Sequence, residues 1–357
     1  MIAGMADNDP RSAVFAEGLL SGKVALVTGG GTGLGRETAI ELARCGARVV
    51  IAGRRAERLE AAVGEILRAI GVDAGETVEV ATNAGVDTGA GGGAGVGETG
   101  AAATGATSAG GSGAGSDEAR LVDWVAADVR EPADARRLVE TVLERRGRLD
   151  ILVNNAGGQY FTPAEGIALK GWRAVWRLNV EGVLNMSEAA VDLGLGTAAP
   201  AGLGLGGAEM SGALPQGGAI VNVTLSPHHG MPGMAHSGAA RATVEALTRE
   251  LAQRWSDRGI AVTAIAAGHF DTEAMGKYPE TVRAGMARSV PMQRLGEPQE
   301  HAWLVALLCS PLGRALNGST ITLDGARDNW FGPWPPLGLT GGTGEVPTEE
   351  RRESRSA

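Results

Sequence analysis

Apolar residues follow two rhythms along this chain: short unbroken runs, and longer stretches in which they recur every third or fourth position. An unbroken run bounded by turn-forming residues reads as a strand buried on both faces, and the recurring pattern reads as a helix with one face against a core. Strands are predicted on this basis at 24–28, 47–52, 121–129, 149–154, 219–224, 260–266 and 319–323. Helices are predicted at 33–45, 55–70, 133–146, 170–190, 236–258 and 299–309. The 55–70 segment shows the helical period well, with Leu59, Val63, Ile66, Leu67 and Ile70 near one face. Strand followed by helix, repeated along the chain, predicts a doubly wound parallel sheet of about seven strands, an α/β fold. A long connection, 268–297, contains Pro279 and Pro291.

Two stretches keep neither rhythm. Thirteen of the 35 residues at 82–116 are glycine, and Val86 and Val96 are the only large apolar side chains there. Such a segment buries too little surface to offset the entropy of ordering it, so a disordered insertion is expected. A second low-complexity insertion, rich in Gly, Ala and Leu, is expected at 192–217. Residues 1–14 read as a disordered leader. Residues 331–357 open with FGPWPPLGL and read as a docked aromatic segment followed by a loose tail. What is left, 15–330 without its insertions, is the size of a single domain.

Composition narrows the partners. A formal net charge of −9 argues against nucleic acid, which needs a basic face. With 43% hydrophobic and 4% aromatic residues, the core is expected to be aliphatic and alanine-rich. Cys45 and Cys309 are too few for a disulfide framework or a zinc cluster, which fits a reducing cytoplasm. No metal site is expected. No run of about 18 apolar residues suggests a membrane span, and the first residues lack the pattern of a signal peptide.

The chemistry begins at residues 24–35, VALVTGGGTGLG. Glycines alone carry little, since the chain holds 57 of them. Here a strand precedes the cluster and a helix follows, which together make an anion site: glycines let the backbone approach a pyrophosphate, and the free N–H groups of the helix N-terminus face it. Gly29, Gly33 and Gly35 set the spacing, with Thr32 and Leu34 between them, and the Thr32 hydroxyl is placed to reach a phosphate oxygen. The end of the second strand decides between NAD and NADP. An acidic residue there binds the ribose 2′-hydroxyl, whereas arginine accommodates a 2′-phosphate. Gly53-Arg54-Arg55 stands at this point with no Asp or Glu at the tip, and arginines opening a helix oppose its dipole unless they hold an anion. NADP(H) is therefore the expected cofactor.

The spacing Thr28-Gly29-Gly30-Gly31-Thr32-Gly33-Leu34-Gly35, followed by Asn154-Asn155-Ala156-Gly157, resembles the short-chain dehydrogenase/reductase family. Within it the chain is similar to the 2,4-dienoyl-CoA and trans-2-enoyl-CoA reductase branch, through the stretches 18–35, 153–180 and 236–252. The resemblance runs from about residue 15 to 330 and implies a single Rossmann-type domain. It also implies that Asp128 and Val129 flank the adenine and that Asn155, Ala156 and Gly157 lie beside the adenine ribose. Gly268 and Thr272 would line the nicotinamide carboxamide, although Ala267-Gly268 stands where the family usually has Pro-Gly. A homotetramer or homodimer, formed through the helices at 170–190 and 236–258, is implied as well.

The reaction site departs from the family. Most members carry a serine, a Tyr-x-x-x-Lys pair on one helix face and an asparagine one helix earlier. Asn179 matches the asparagine, but Ser237 stands at the tyrosine position and Arg241 at the lysine position. The dienoyl-CoA reductase branch also has a serine there and takes its proton from a tyrosine after the fifth strand; the matching residue here is Ser226. Arg241 stays protonated, so it can hold a ribose and supply charge but not act as a base. Ser237 can donate a hydrogen bond to a developing oxyanion. His228, His229 and His236 are near, and among them His236 is the first candidate for the missing proton donor, although loop polarity or a helix cap is the simpler explanation of each histidine. Tyr160 is expected at the substrate mouth and Tyr278 in the lid.

Three functions stay open on the sequence. The first is an NADPH-dependent reductase of an enoyl thioester, acting on a small-molecule substrate such as an acyl-CoA. The second is an NADP-dependent alcohol dehydrogenase or ketoreductase. The third is a catalytically silent NADP-binding protein.

Overall fold

The computed structural model describes residues 11–72, 121–197, 217–226, 233–277 and 280–329. All seven predicted strands form: β1 (Val24–Thr28), β2 (Arg48–Gly53), β3 (Val122–Ala126), β4 (Ile151–Asn154), β5 (Ala219–Leu225), β6 (Ala261–Ala267) and β7 (Thr320–Leu323). They join in one sheet in the order β3-β2-β1-β4-β5-β6-β7, and every pairing is parallel. The helices are α1 (Gly33–Arg44), α2 (Ala56–Ala69), α3 (Pro132–Arg146), α4 (Leu169–Trp176), α5 (Gly182–Asp192), α6 (Ala235–Trp255), α7 (Glu280–Arg288) and α8 (Pro298–Cys309). The expected insertion at 82–116, most of 192–217, and the tail at 331–357 lie outside the described residues, as do His228, His229 and Tyr278.

Strand residues alternate between two cores, as a pleated sheet requires. Ala25, Val27, Val49, Ile51, Ile151 and Val153 pack with Leu42 of α1, Ile66 of α2 and Val305 of α8. Val24, Leu26, Val50, Val125 and Leu152 face the other way, onto Leu138 of α3, Met186 of α5 and Trp255 of α6. Both faces of the sheet are covered, which is why its strands read as unbroken apolar runs.

Three details differ from expectation. The 170–190 helix is interrupted by a π turn, Arg177–Glu181, between α4 and α5, where the Gly182 N–H reaches back to the Arg177 carbonyl. The 268–297 connection carries α7 and a short 3₁₀ turn, Glu273–Lys277. Ser12, inside the stretch expected to be a loose leader, donates a hydrogen bond to Glu41 at 2.5 Å.

A buried polar chain sets α6 against the sheet. Asn154 donates to Asn222 at 2.9 Å and to Ser187 at 3.0 Å, and Asn222 donates to Thr248 of α6 at 2.9 Å. These bonds satisfy the N–H₂ groups of both asparagines and the Asn222 oxygen, while Asn154 Oδ1 has no partner, and they hold α6 beside the carboxyl ends of β4 and β5.

Candidate active site

Strand order reverses between β1 and β4, and at this switch point an open α/β sheet offers a crevice beyond its carboxyl ends. A cleft of about 670 Å³ opens there. The turns after β1 and β4 are tied together. Thr28 Oγ1 accepts from the N–H groups of Asn155 and Ala156, both at 3.1 Å, while Asn155 Nδ2 donates to the Thr28 carbonyl at 3.0 Å. The contact leaves no room for side chains: a Cβ on Gly35 would stand 2.4 Å from both Asn155 Nδ2 and the Gly29 oxygen. Gly29 and Gly33 have φ of 68° and 53°, the left-handed region that glycine enters freely.

Gly29, Thr32, Gly33, Leu34 and Gly35 line the near wall of the cleft, and Arg54 and Arg55 its far end. Arg58, one turn into α2, joins them; it lies beyond the strand tip, where the cofactor-selecting residues are expected from the sequence. All three arginines are solvent-exposed. Asp128 and Val129 also line the cleft, but the Asp128 carboxylate is already gripped by Arg130, whose Nε lies 2.8 and 3.0 Å from its two oxygens. That grip, more than the charge of Arg54, holds the Asp128 carboxyl below the usual range. Asn155, Ala156, Gly157, Gly268 and Thr272 also line the cleft. The donor set — a glycine turn at a helix start and an exposed arginine cluster — fits a phosphorylated dinucleotide.

Arg241 reaches the cleft from α6 through the gap at Gly157, where a Cβ would stand 2.3 Å from its guanidinium. One arm donates to the Val223 carbonyl at 2.6 Å, and Nε has no partner. Among the described residues no carboxylate pairs with it. Burial draws its pKa down to about 10, which leaves it charged at neutral pH.

The other proposed reaction residues stand back from the cavity. Ser237 is fully buried and donates to Gln159 Oε1 at 3.2 Å; it is Gln159, unforeseen in the sequence, that lines the cleft. Asn179, also fully buried, sits in the π turn and clamps the segment after β4: Nδ2 donates to the Gly158 and Val175 carbonyls at 2.8 and 2.7 Å, and Oδ1 accepts from Gly158 N–H at 3.2 Å. His236 packs under Tyr160, ring centroids 4.3 Å apart, with neither nitrogen hydrogen-bonded. Burial lowers its pKa, and it is not among the residues that line the cleft. Ser226 donates to Asp324. His269, after β6, does line the cleft, and its pKa is lowered by burial first and by Arg327 second, against the opposing pull of Asp324. Only the position of a histidine beside Gly268 could have suggested it. The remaining wall is apolar, with Phe161, Met234, Met275 and Met286.

Fold and cleft define the class first: a doubly wound α/β protein with its site at the switch point of the sheet. Comparison with known proteins carries this further. Residues 23–88 and 106–203 match the family described as short chain dehydrogenase, and 200–326 match that described as enoyl-(acyl carrier protein) reductase. The chain is 31% identical over 315 residues to a peroxisomal 2,4-dienoyl-CoA reductase of Arabidopsis thaliana, covering 87% of this chain and 86% of that one. It is 31% identical over 319 residues to a probable 2,4-dienoyl-CoA reductase of Bacillus subtilis, covering 88% and 98%. Among solved structures, the citronellol catabolism dehydrogenase AtuB of Pseudomonas aeruginosa superposes with a TM-score of 0.63 at 32% identity, over 88% of this chain and 98% of the other. The chain belongs to the short-chain dehydrogenase/reductase family of oxidoreductases. Among the described residues no helix is long and apolar enough to cross a membrane.

Proposed function

We propose that this protein is an NADPH-dependent reductase of enoyl thioesters in the cytoplasm, with an acyl-CoA as its substrate type. The observation that carries the reading is Arg241: a buried, charged guanidinium at the cavity wall with an unpartnered Nε and, among the described residues, no carboxylate of its own. A buried cation in that state is stabilised by an anion arriving in the cleft, and enoyl reduction develops one.

The nicotinamide, when bound, supplies a hydride to the β-carbon of the enoyl group. The chain's own residues manage the charge that follows. As the β-carbon gains the hydride, negative charge moves to the thioester oxygen as an enolate, and the α-carbon then takes its proton from water, which completes the reduction without a strong side-chain acid. Ser237 holds Gln159 by its Oε1, which leaves the amide N–H₂ as the donor end of that side chain for the oxygen. Arg241 adds positive charge from α6 and is placed to hold the nicotinamide ribose. Asn179 fixes the Gly158 backbone and so the start of the segment that carries Gln159; it is a positioning residue. Arg54, Arg55 and Arg58 would hold the 2′-phosphate of the cofactor, an anion that guanidinium groups suit through paired hydrogen bonds. The thioether and phenyl wall accepts an uncharged acyl chain and adapts to its shape.

A ketoreductase or alcohol dehydrogenase needs a proton delivered to the carbonyl oxygen. The tyrosine position is filled by buried Ser237, which favours the enoyl reading. The deciding experiment follows NADPH oxidation with a panel of trans-2-enoyl-CoA and 2,4-dienoyl-CoA esters beside ketones and aldehydes. Turnover of enoyl thioesters, with poor turnover of carbonyls, is expected. Turnover of carbonyls alone overturns the reading, and binding of NADPH without any turnover establishes a silent binder.

A further inference from the structure

Helix α1 opens without the usual provisions. Its N-cap, Thr32, makes no side-chain cap bond, and no acidic residue lies in its first turn. Arg36 is placed there instead, against the dipole. The missing anion comes from far along the chain. Glu273, which opens the 3₁₀ turn of the connection after β6, accepts the Gly33 N–H with Oε2 at 3.0 Å. Its Oε1 pairs with Arg36, whose other arm holds Glu65 of α2 at 2.5 Å. A carboxylate from the connection thus occupies a donor of the glycine turn. The neighbours of Glu273 in sequence, Thr272, Ala274 and Met275, line the same cleft.

A dinucleotide pyrophosphate needs that turn and helix start. It is an anion, as Glu273 is, and the two repel one another if both remain. We propose that Glu273 is an internal stand-in for the pyrophosphate: it latches the connection across the glycine turn until the cofactor displaces it, and it passes Arg36 to the incoming phosphate. Cofactor entry and release of the connection are then one exchange of anions. The carboxylate lowers cofactor affinity in the resting chain and helps expel spent cofactor by competing for its place. This rests on the cofactor reading above, but not on the choice of substrate.

The test is Glu273→Gln, which keeps the shape and an acceptor oxygen for Gly33 but removes the charge. NADPH titrated by fluorescence is expected to bind the variant about two- to fivefold more tightly, the scale of one partly exposed charge contact. Adenosine 2′-monophosphate, which reaches the arginine cluster but carries no pyrophosphate, is expected to bind both proteins equally. Without ligand the variant melts lower than wild type, and its gain in Tm on saturation with NADPH is larger. Equal or weaker NADPH binding by Glu273→Gln overturns the latch while leaving the cofactor reading intact. If neither protein binds NADPH or NADH, both fall together.

Discussion

Ser237 and Arg241 lie one helical turn apart on α6, yet they meet different surroundings. Arg241 looks into the cleft, whereas Ser237 is buried behind Gln159. The two are therefore expected to fail in different ways. Gln159→Ala should lower turnover on an enoyl thioester by about a hundredfold, the scale of losing one oxyanion donor, with NADPH affinity unchanged. Ser237→Ala frees the amide to rotate and should cost less than removing it, again in kcat and not in cofactor affinity. Arg241→Ala should weaken both cofactor binding and turnover. Full activity in Gln159→Ala sinks this assignment. At the opposite end of the cleft, Arg54→Asp should weaken NADPH binding by about tenfold to a hundredfold while sparing NADH, since charge-assisted hydrogen bonds are worth roughly 1.5–3 kcal/mol. An unchanged preference between the two cofactors would place the phosphate elsewhere.

Elements differ in how plainly their residues announce them. β1 and β5 are legible because both faces of the sheet are covered and their runs are mostly apolar, with Thr28 closing the first and Asn222 and Thr224 the polar positions of the second. The glycine turn is legible because its strand and helix are contiguous in sequence. The π turn is not: Asn179 continues an ordinary helical pattern, and only the extra residue per turn brings its side chain under Gly158. The same limit hid Gln159, whose role depends on a contact with Ser237 across 78 positions, and the pairing of Glu273 with Gly33 across 240. Pairings of that kind follow from the folded path of the chain and leave no local spacing to read. The π turn also has an energetic signature. Asn179→Ala would leave the Gly158 N–H and carbonyl without that partner inside the protein, a loss of about 1–3 kcal/mol. Thermal unfolding is expected at lower temperature, together with reduced turnover as Gln159 loses its fixed approach. An unchanged Tm would show that Gly158 is held by other contacts.

For the molecule as a whole, a homotetramer or homodimer is expected through the paired helices α4–α5 and α6, and Leu169 at the start of α4 is 62% exposed in the single chain. Light scattering at working concentration checks it, and a monomer refutes it. Val72 and Leu121, which border the undescribed stretch, both pack against the core of the α1, α2 and α8 face, and the Leu121 carbonyl accepts from Val49 N–H at 2.9 Å. Deleting 82–116 should therefore leave NADPH affinity unchanged and shift Tm by less than about 4 °C, the equivalent of roughly 1 kcal/mol in a domain of this size. A larger drop means the insert contributes to stability. The same two anchors make this locus a socket. A compact foreign domain with adjacent termini, such as a fluorescent reporter, is expected to be accepted in place of 82–116, because Val72 and Leu121, the last described residues on either side, are held by the core. Since α2 leads to that socket from the arginine cluster, such a fusion would carry its optical signal within one helix of the cofactor cleft.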